Sequence, residues 1–255
     1  MRQRPLTVVI GVAALALLFV GSAYALHLRA GNIIVDGDGG FAPTRLPKNR
    51  VAPIRAFFHG SVKTVDGTRP SPIRVLTVEF DKHSALETRG LPKCTQAKLL
   101  ATTTAQARKL CPGAIIGSGF GKGVVELPEQ RPIEVSSPIT VFNGPVEQGN
   151  PIAIGHVHID YPGPTTYLLP GVIHKVNHGR YGYKLVIDFP KLVNGYGSPT
   201  YGRLTINRKW KYGRKTLSYA SARCADGRLQ ARVQAAFEDG TFLQGTAFKH
   251  CTIRR

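Results

Sequence analysis

His156-Val157-His158-Ile159-Asp160 is the run whose residue types and spacing come closest to a reaction centre. On a strand, residues two apart project to the same side. Both imidazoles and the carboxylate would then share one face, and a strand-borne His-x-His pair is a workable set of zinc or copper ligands. His174 and His178 come just after the next strand-like run and are candidates for a third ligand. The chemistry would be metal-assisted hydrolysis, with zinc as the cofactor expected. The competing reading is structural: the polar outer face of a strand whose inner face carries Ala153, Gly155, Val157 and Ile159.

A second constellation is Arg208-Lys209-Trp210-Lys211-Tyr212-Gly213-Arg214-Lys215. It reads as a basic hairpin tip with two aromatic rings. Cations would grip an anionic polymer while Trp210 or Tyr212 stacked on a sugar or base. The structural alternative turns both rings to the core and the cations to water. Asp36-Gly37-Asp38-Gly39-Gly40 looks like the start of a calcium loop, but the twelfth position is Pro47 and a third acid is missing, so it reads as a turn. No G-x-S-x-G and no H-E-x-x-H occurs. With 15 acidic residues in the chain, no glycosidase carboxylate pair can be singled out.

The elements that would position these residues follow from composition and punctuation. The 255 residues carry a net charge of +19 with 42% hydrophobic content, which fits a folded chain attracted to polyanions. Glycine (28) and proline (18) are frequent enough to make turns common and long helices rare. Leu229, Ala231, Val233, Ala235 and Phe237 alternate with polar residues as in a half-buried strand, and Glu238-Asp239-Gly240 reads as the turn to a returning strand over Phe242–Phe248. Leu204, Ile206, Trp210 and Tyr212 read as one face of another strand, with Gly213 in the turn after it. Further runs recur across 54–62, 73–80, 139–142, 152–159, 167–176 and 183–189. The fold expected is mainly β, a β-sandwich or partly open barrel. Gly117, Gly119, Gly121 and Gly123 would line one face of a strand, and glycine there calls for something packed tightly against it.

Met1–Pro5 is basic, Leu6–Val20 is apolar, and Ala23-Tyr24-Ala25 is a small-x-small pattern, which together read as a signal peptide over 1–25 cleaved after Ala25. Without cleavage, Leu6–Leu26 would serve as a single membrane anchor. Removing Arg2 and Arg4 still leaves +17 on the exported part. Cys94, Cys111, Cys224 and Cys251 then read as disulfides, with proximity favouring Cys94–Cys111 and Cys224–Cys251 among three pairings. Residues 95–101 and 105–110 both look helical. One continuous helix would hold Cys94 and Cys111 roughly 25 Å apart, whereas a disulfide needs about 4.4–6.8 Å between Cα atoms. The helix must therefore break at Thr102-Thr103-Thr104, giving a small disulfide-closed helical hairpin over about 95–110. That hairpin is the natural element to cover the glycine stripe. A cluster of prolines at 128–138 marks a candidate boundary between an N-terminal β region (26–127) and a C-terminal one (128–255), which could equally form one continuous domain.

Ala52-Pro53-Ile54, Val65-Asp66-Gly67, Phe80-Asp81-Lys82, Gly90-Leu91-Pro92-Lys93-Cys94, Cys111-Pro112-Gly113-Ala114-Ile115-Ile116-Gly117-Ser118-Gly119, Phe142-Asn143-Gly144 and Cys224-Ala225-Asp226-Gly227-Arg228-Leu229-Gln230-Ala231 make the chain resemble a family of uncharacterised secreted bacterial proteins. The resemblance covers most of the chain after about residue 43. It implies secretion and a β-rich, disulfide-bonded fold, and no activity. The functional expectation is a secreted or envelope-associated, non-enzymatic protein that binds anionic envelope polymer or a membrane surface. A metal-dependent envelope hydrolase using His156 and His158 is the alternative, and extracellular nucleic-acid binding is the less favoured partner class.

Overall fold

The computed structural model describes residues 25–254. The apolar run read as a signal peptide lies outside the described residues. In chain order the strands are β1 (Leu26–Ala30), β2 (Ile33–Ala42), β3 (Arg45–Pro47), β4 (Ala52–Pro53), β5 (Arg55–Thr64), β6 (Ile73–Asp81) and β7 (Ser84–Leu86). Two helices, α1 (Gln96–Leu99) and α2 (Thr104–Leu110), come next. They are followed by β8 (Ile115–Val125), β9 (Ile133–Glu147), β10 (Asn150–Ile159), β11 (Thr165–His178), β12 (Tyr181–Asp188) and β13 (Gly197–Ile206). The chain ends with β14 (Lys209–Tyr212), β15 (Lys215–Ser218), β16 (Ala220–Ala222), β17 (Arg228–Phe237), β18 (Phe242–His250) and β19 (Thr252–Arg254).

Twelve of these strands form one antiparallel sheet in the order β1-β2-β5-β13-β8-β9-β10-β11-β12-β6-β17-β18. The middle is a meander from β8 to β12, in which successive strands pair through short turns. On either side the order is non-sequential, because β13 inserts between β5 and β8 and β6 inserts between β12 and β17. Both halves of the chain thus interleave in one sheet, and the prolines at 128–138 do not separate two sheets. The two ends of the sheet meet. Gly245 of β18 faces β1 so closely that a methyl group there would stand 2.7 Å from Leu26 and 2.9 Å from Leu28. Ile33, Val62, Ala235, Phe237 and Leu243 fill the seam with Leu28 beside them. The result is a nearly closed, barrel-like sheet, the barrel form of the expected β architecture. Three small sheets accompany it: β4-β16-β7, the hairpin β14-β15, and a parallel pair β19-β3.

The concave face carries Ile139, Val141, Ala153, Leu204 and Ile206, covered by Leu86, Leu91 and Tyr219. The glycine stripe lies on this same face, since Gly117 pairs with Val141 and Gly119 with Ile139. What packs on it differs from the sequence expectation. A methyl at Gly119 would stand 2.0 Å from the Arg203 carbonyl oxygen, and one at Gly117 2.5 Å from Ile206 Cδ1. The glycines let the neighbouring strand β13 curl inward against β8, which tightens the bend of the wall. The helical hairpin sits on the other side of the sheet. Leu99, Ala107 and the Cys94–Cys111 bridge pack on Phe142, Ile152 and Ile154 of β9 and β10, whose side chains point outward.

The helix break occurs where the threonines predict it. α1 ends before Thr102, and Thr103 caps α2 in a reciprocal box with Gln106. Thr95 occupies the N-cap position of α1 without a side-chain cap bond, so that expected cap is positional only. Both disulfides form as proximity favours, each with 5.9 Å between Cα atoms. One strand reading needs correction: β13 stops at Ile206, and Trp210 and Tyr212 belong to the separate β14-β15 hairpin. Asn207 and Arg208 break the run, with Asn207 N–H bonded back to Ile116 O.

Candidate functional site

His156 points outward from β10 into the underside of the helical hairpin and is fully buried. Its Nε2 lies 3.0 Å from the Thr102 carbonyl and 3.1 Å from the Thr102 hydroxyl. That hydroxyl donates to Leu99 O at 2.6 Å. The Thr102 proton being engaged, Nε2 carries the hydrogen and donates to Thr102, an assignment made from the network. Nδ1 is buried without a partner. Burial pushes the His156 pKa below its ordinary value, so the ring is neutral near pH 7. His158 stands beside it: Nδ1 donates to Thr166 Oγ1 at 2.9 Å, and Thr166 in turn donates to the same Thr102 carbonyl at 2.7 Å. The two histidines therefore clasp the break between α1 and α2 to the barrel wall.

Of the remaining metal candidates only Asp160 reaches this pair, and from the solvent side. Asp160 Oδ1 reaches His158 Nε2 at 3.3 Å but its side chain is almost fully exposed. His174 pairs with Lys184, and it is six residues along β11 from Leu168, the partner of His156; at about 3.3 Å per residue this is roughly 20 Å. His178 turns to Glu79, with Nε2 3.2 Å from its Oε1. Among the described residues no group of three or more His, Cys, Asp or Glu is placed to hold a metal ion.

The basic hairpin divides into anchored and free side chains. Trp210 donates Nε1–H to Arg89 O at 3.0 Å and packs against the inner apolar cluster. Arg208 donates to Gly113 O at 3.2 Å. The Tyr212 ring lies directly over Gly90, where a methyl group would stand 2.2 Å from Cδ2, and the Arg89 guanidinium sits 5.8 Å from the ring centroid. Gly90 has φ +70, so both its backbone and its lack of a side chain suit the spot. Lys209, Lys211, Arg214 and Lys215 are exposed and make no ion pair among the described residues. The tip thus presents four unpaired cations around a half-exposed tyrosine on a platform fixed by Trp210.

An ionic cluster escaped the sequence reading. Glu79 and Asp81 share one face of β6, and both are buried. Asp81 accepts from His83 N–H at 2.9 Å, Gln230 N–H at 3.2 Å and Arg180 Nε at 2.9 Å. Arg180 reaches on to clamp both oxygens of Asp226 and the Arg228 carbonyl. Its guanidinium pulls the Asp226 pKa down to about 2. Glu79 is held by Arg232, whose guanidinium lies 4.7 Å over the Tyr181 ring. Both buried carboxylates are engaged by guanidinium, an arrangement that holds strands together and leaves neither oxygen pair open to a substrate. The alternation of Glu79 and Asp81 in an apolar run was the one signal available.

No family model, no curated protein and no solved structure matches the chain. The two disulfides fit an oxidising, extracytoplasmic setting, and no helix among the described residues is long and apolar enough to cross a membrane.

Proposed function

We propose that this is an exported, non-enzymatic protein that binds an anionic polymer of the cell envelope. The single observation that supports the reading is the β14-β15 tip, where Lys209, Lys211, Arg214 and Lys215 have no counter-charge among the described residues. Seven carboxylates elsewhere, Asp36, Asp38, Glu79, Asp81, Glu87, Glu126 and Asp226, each meet a lysine or arginine, and none of these partners belongs to the tip. Positive charge left over on a rigid, protruding hairpin is arranged for an external anion. Export rests on the Leu6–Val20 segment, the disulfides and the resemblance to secreted bacterial proteins.

Binding of the full chain to isolated envelope, anionic vesicles and DNA at low and high salt tests the reading. Tight binding to envelope that persists at high salt is expected, with at least a tenfold loss in the variant Lys209→Ala, Lys211→Ala, Arg214→Ala, Lys215→Ala. Weak binding to all three that vanishes with salt would mean that the charge only solvates the surface.

A further inference from the structure

The outer face of β5, β13 and β8 carries a second array that the basic tip does not explain. By register, Tyr201 faces Lys122 and Arg203 faces Phe120 across the β13-β8 pair. One strand further, Phe57 of β5 faces Thr205, two residues from Arg203 on the same side. Each ring has a cation beside it: the Arg203 guanidinium is 5.8 Å from the Phe120 centroid, and that of Arg55 is 5.8 Å from the Phe57 centroid. Phe120, Lys122, Tyr201 and Arg203 line a shallow depression. These residues point away from the core because their neighbours Gly119, Gly121, Gly202 and Leu204 take the inner face.

From Arg55 to Lys122 the array runs diagonally for about 20 Å, given strand spacings of about 4.8 Å and 3.3 Å per residue. Directly opposed pairs in such a grid lie about 5 Å apart and diagonal ones about 7–8 Å, so ring and charge alternate along the track. The acids on this side are few. Asp36 is matched by Lys63 and Asp38 by Lys249. Glu134 lies two residues along β9 from Ser136, the partner of Lys122. A flat, rigid wall of alternating rings and cations complements a polymer whose own units alternate a stackable ring face with a negative group. The array lies on three paired strands of the sheet and includes no loop.

We infer that Phe57, Phe120 and Tyr201, with Arg55, Lys122 and Arg203, form a binding track for an anionic polysaccharide, stacking its sugar rings and pairing its carboxylate, sulfate or phosphate groups. The inference rests on the polyanion-binding reading and names the ligand class. It is tested with three probes on the full chain: a polyuronate, inorganic polyphosphate of equal charge, and oligodeoxythymidine. Inorganic polyphosphate has charge but no ring, so the ratio of the first two affinities isolates stacking. The wild type should favour polyuronate by at least about tenfold, the scale of stacking on aromatic side chains. The variant Phe120→Leu, Tyr201→Leu keeps an apolar wall without planar rings. It should lose that preference while holding polyphosphate within about twofold and its melting curve unchanged.

Equal affinity of the wild type for polyuronate and polyphosphate, or a preference that survives in the variant, overturns the track and leaves the polyanion reading standing. Preference for oligodeoxythymidine over polyuronate overturns it in favour of nucleic acid. Binding to none of the three overturns both.

Discussion

Cys94–Cys111 lies among Leu99, Ala107, Phe142 and Ile154, and what covers it is a helical hairpin clasped by neutral hydrogen bonds from His156 and Thr166 to Thr102. Cys224–Cys251 also lies in an apolar cluster, with Phe41, Leu46, Ile54 and Leu229, but its flank is ionic: Asp226, Arg180 and Asp81 in one chain of contacts. The loops closed are similar, with sequence separations of 17 and 27. The two regions therefore hold cross-links of comparable reach by different means. One relies on an uncharged imidazole sealed from water; the other relies on carboxylates that guanidinium groups compensate.

Removing the bridges tests the shared part of the comparison and has the largest expected effect. On the chain-entropy model, Cys224→Ala with Cys251→Ala should cost about 3.5 kcal/mol and Cys94→Ala with Cys111→Ala about 3 kcal/mol, read from urea unfolding. An unchanged midpoint on reduction would show that neither bridge constrains the chain. Next is Asp81→Ala. Breaking a buried ion pair usually costs about 3–5 kcal/mol, but Arg180 retains Asp226 and is partly exposed, so a loss of about 2–3 kcal/mol is expected. A value near zero would place the stability of that end wholly in its apolar cluster.

Smaller still is Thr103→Ala, which removes the capping box of α2 and should cost about 1 kcal/mol. The subtlest contrast is in pH. Burial lowers the folded pKa of His156, so below the ordinary histidine value of about 6.5 the unfolded chain takes up a proton that the folded one refuses. This contribution to stability is complete above that pH and is lost as pH falls from there towards the folded value. Melting temperature measured from pH 7 down to pH 5 should therefore fall, and His156→Gln should flatten the fall. His83, at the ionic end, is shifted in the same direction, by burial first and then against it by Asp81. A fall flattened by His83→Gln and not by His156→Gln would assign the acid sensitivity to the other region and reverse the comparison.

Local chemistry made several features legible in the sequence. The alternation from Leu229 to Phe237, the Asp239-Gly240 turn and the run of threonines between two cysteines each act within a dozen residues. Sidedness was not legible. Gly117 and Gly119 announce a close approach without naming what approaches, and the answer is a strand that begins about eighty residues later. The same holds for the ionic cluster, where Arg180 lies 99 residues from Asp81 and Arg232 153 from Glu79. For His156 the residue type suggested a ligand, while its partner Thr102 lies 54 residues away in the break between helices. Trp210 and Tyr212 share a spacing but not an environment, because only Trp210 reaches the inner cluster.

The seam where Leu26 and Leu28 meet Gly245 has a consequence for how the chain matures. The first and last long strands of the sheet complete each other, and β19 adds a parallel pairing to β3 from the far end of the sequence. Until roughly the last thirty residues are in place, β6 lacks its β17 partner and the seam side of β1 is uncovered, so one edge stands open with its backbone groups unpaired and one apolar seam is exposed. Contacts of such long sequence separation form slowly, and open edges are where strands of separate molecules join. A growing chain would therefore have to be kept apart from its copies until β17 and β18 arrived, and removing β18 together with β19 should make the protein aggregate.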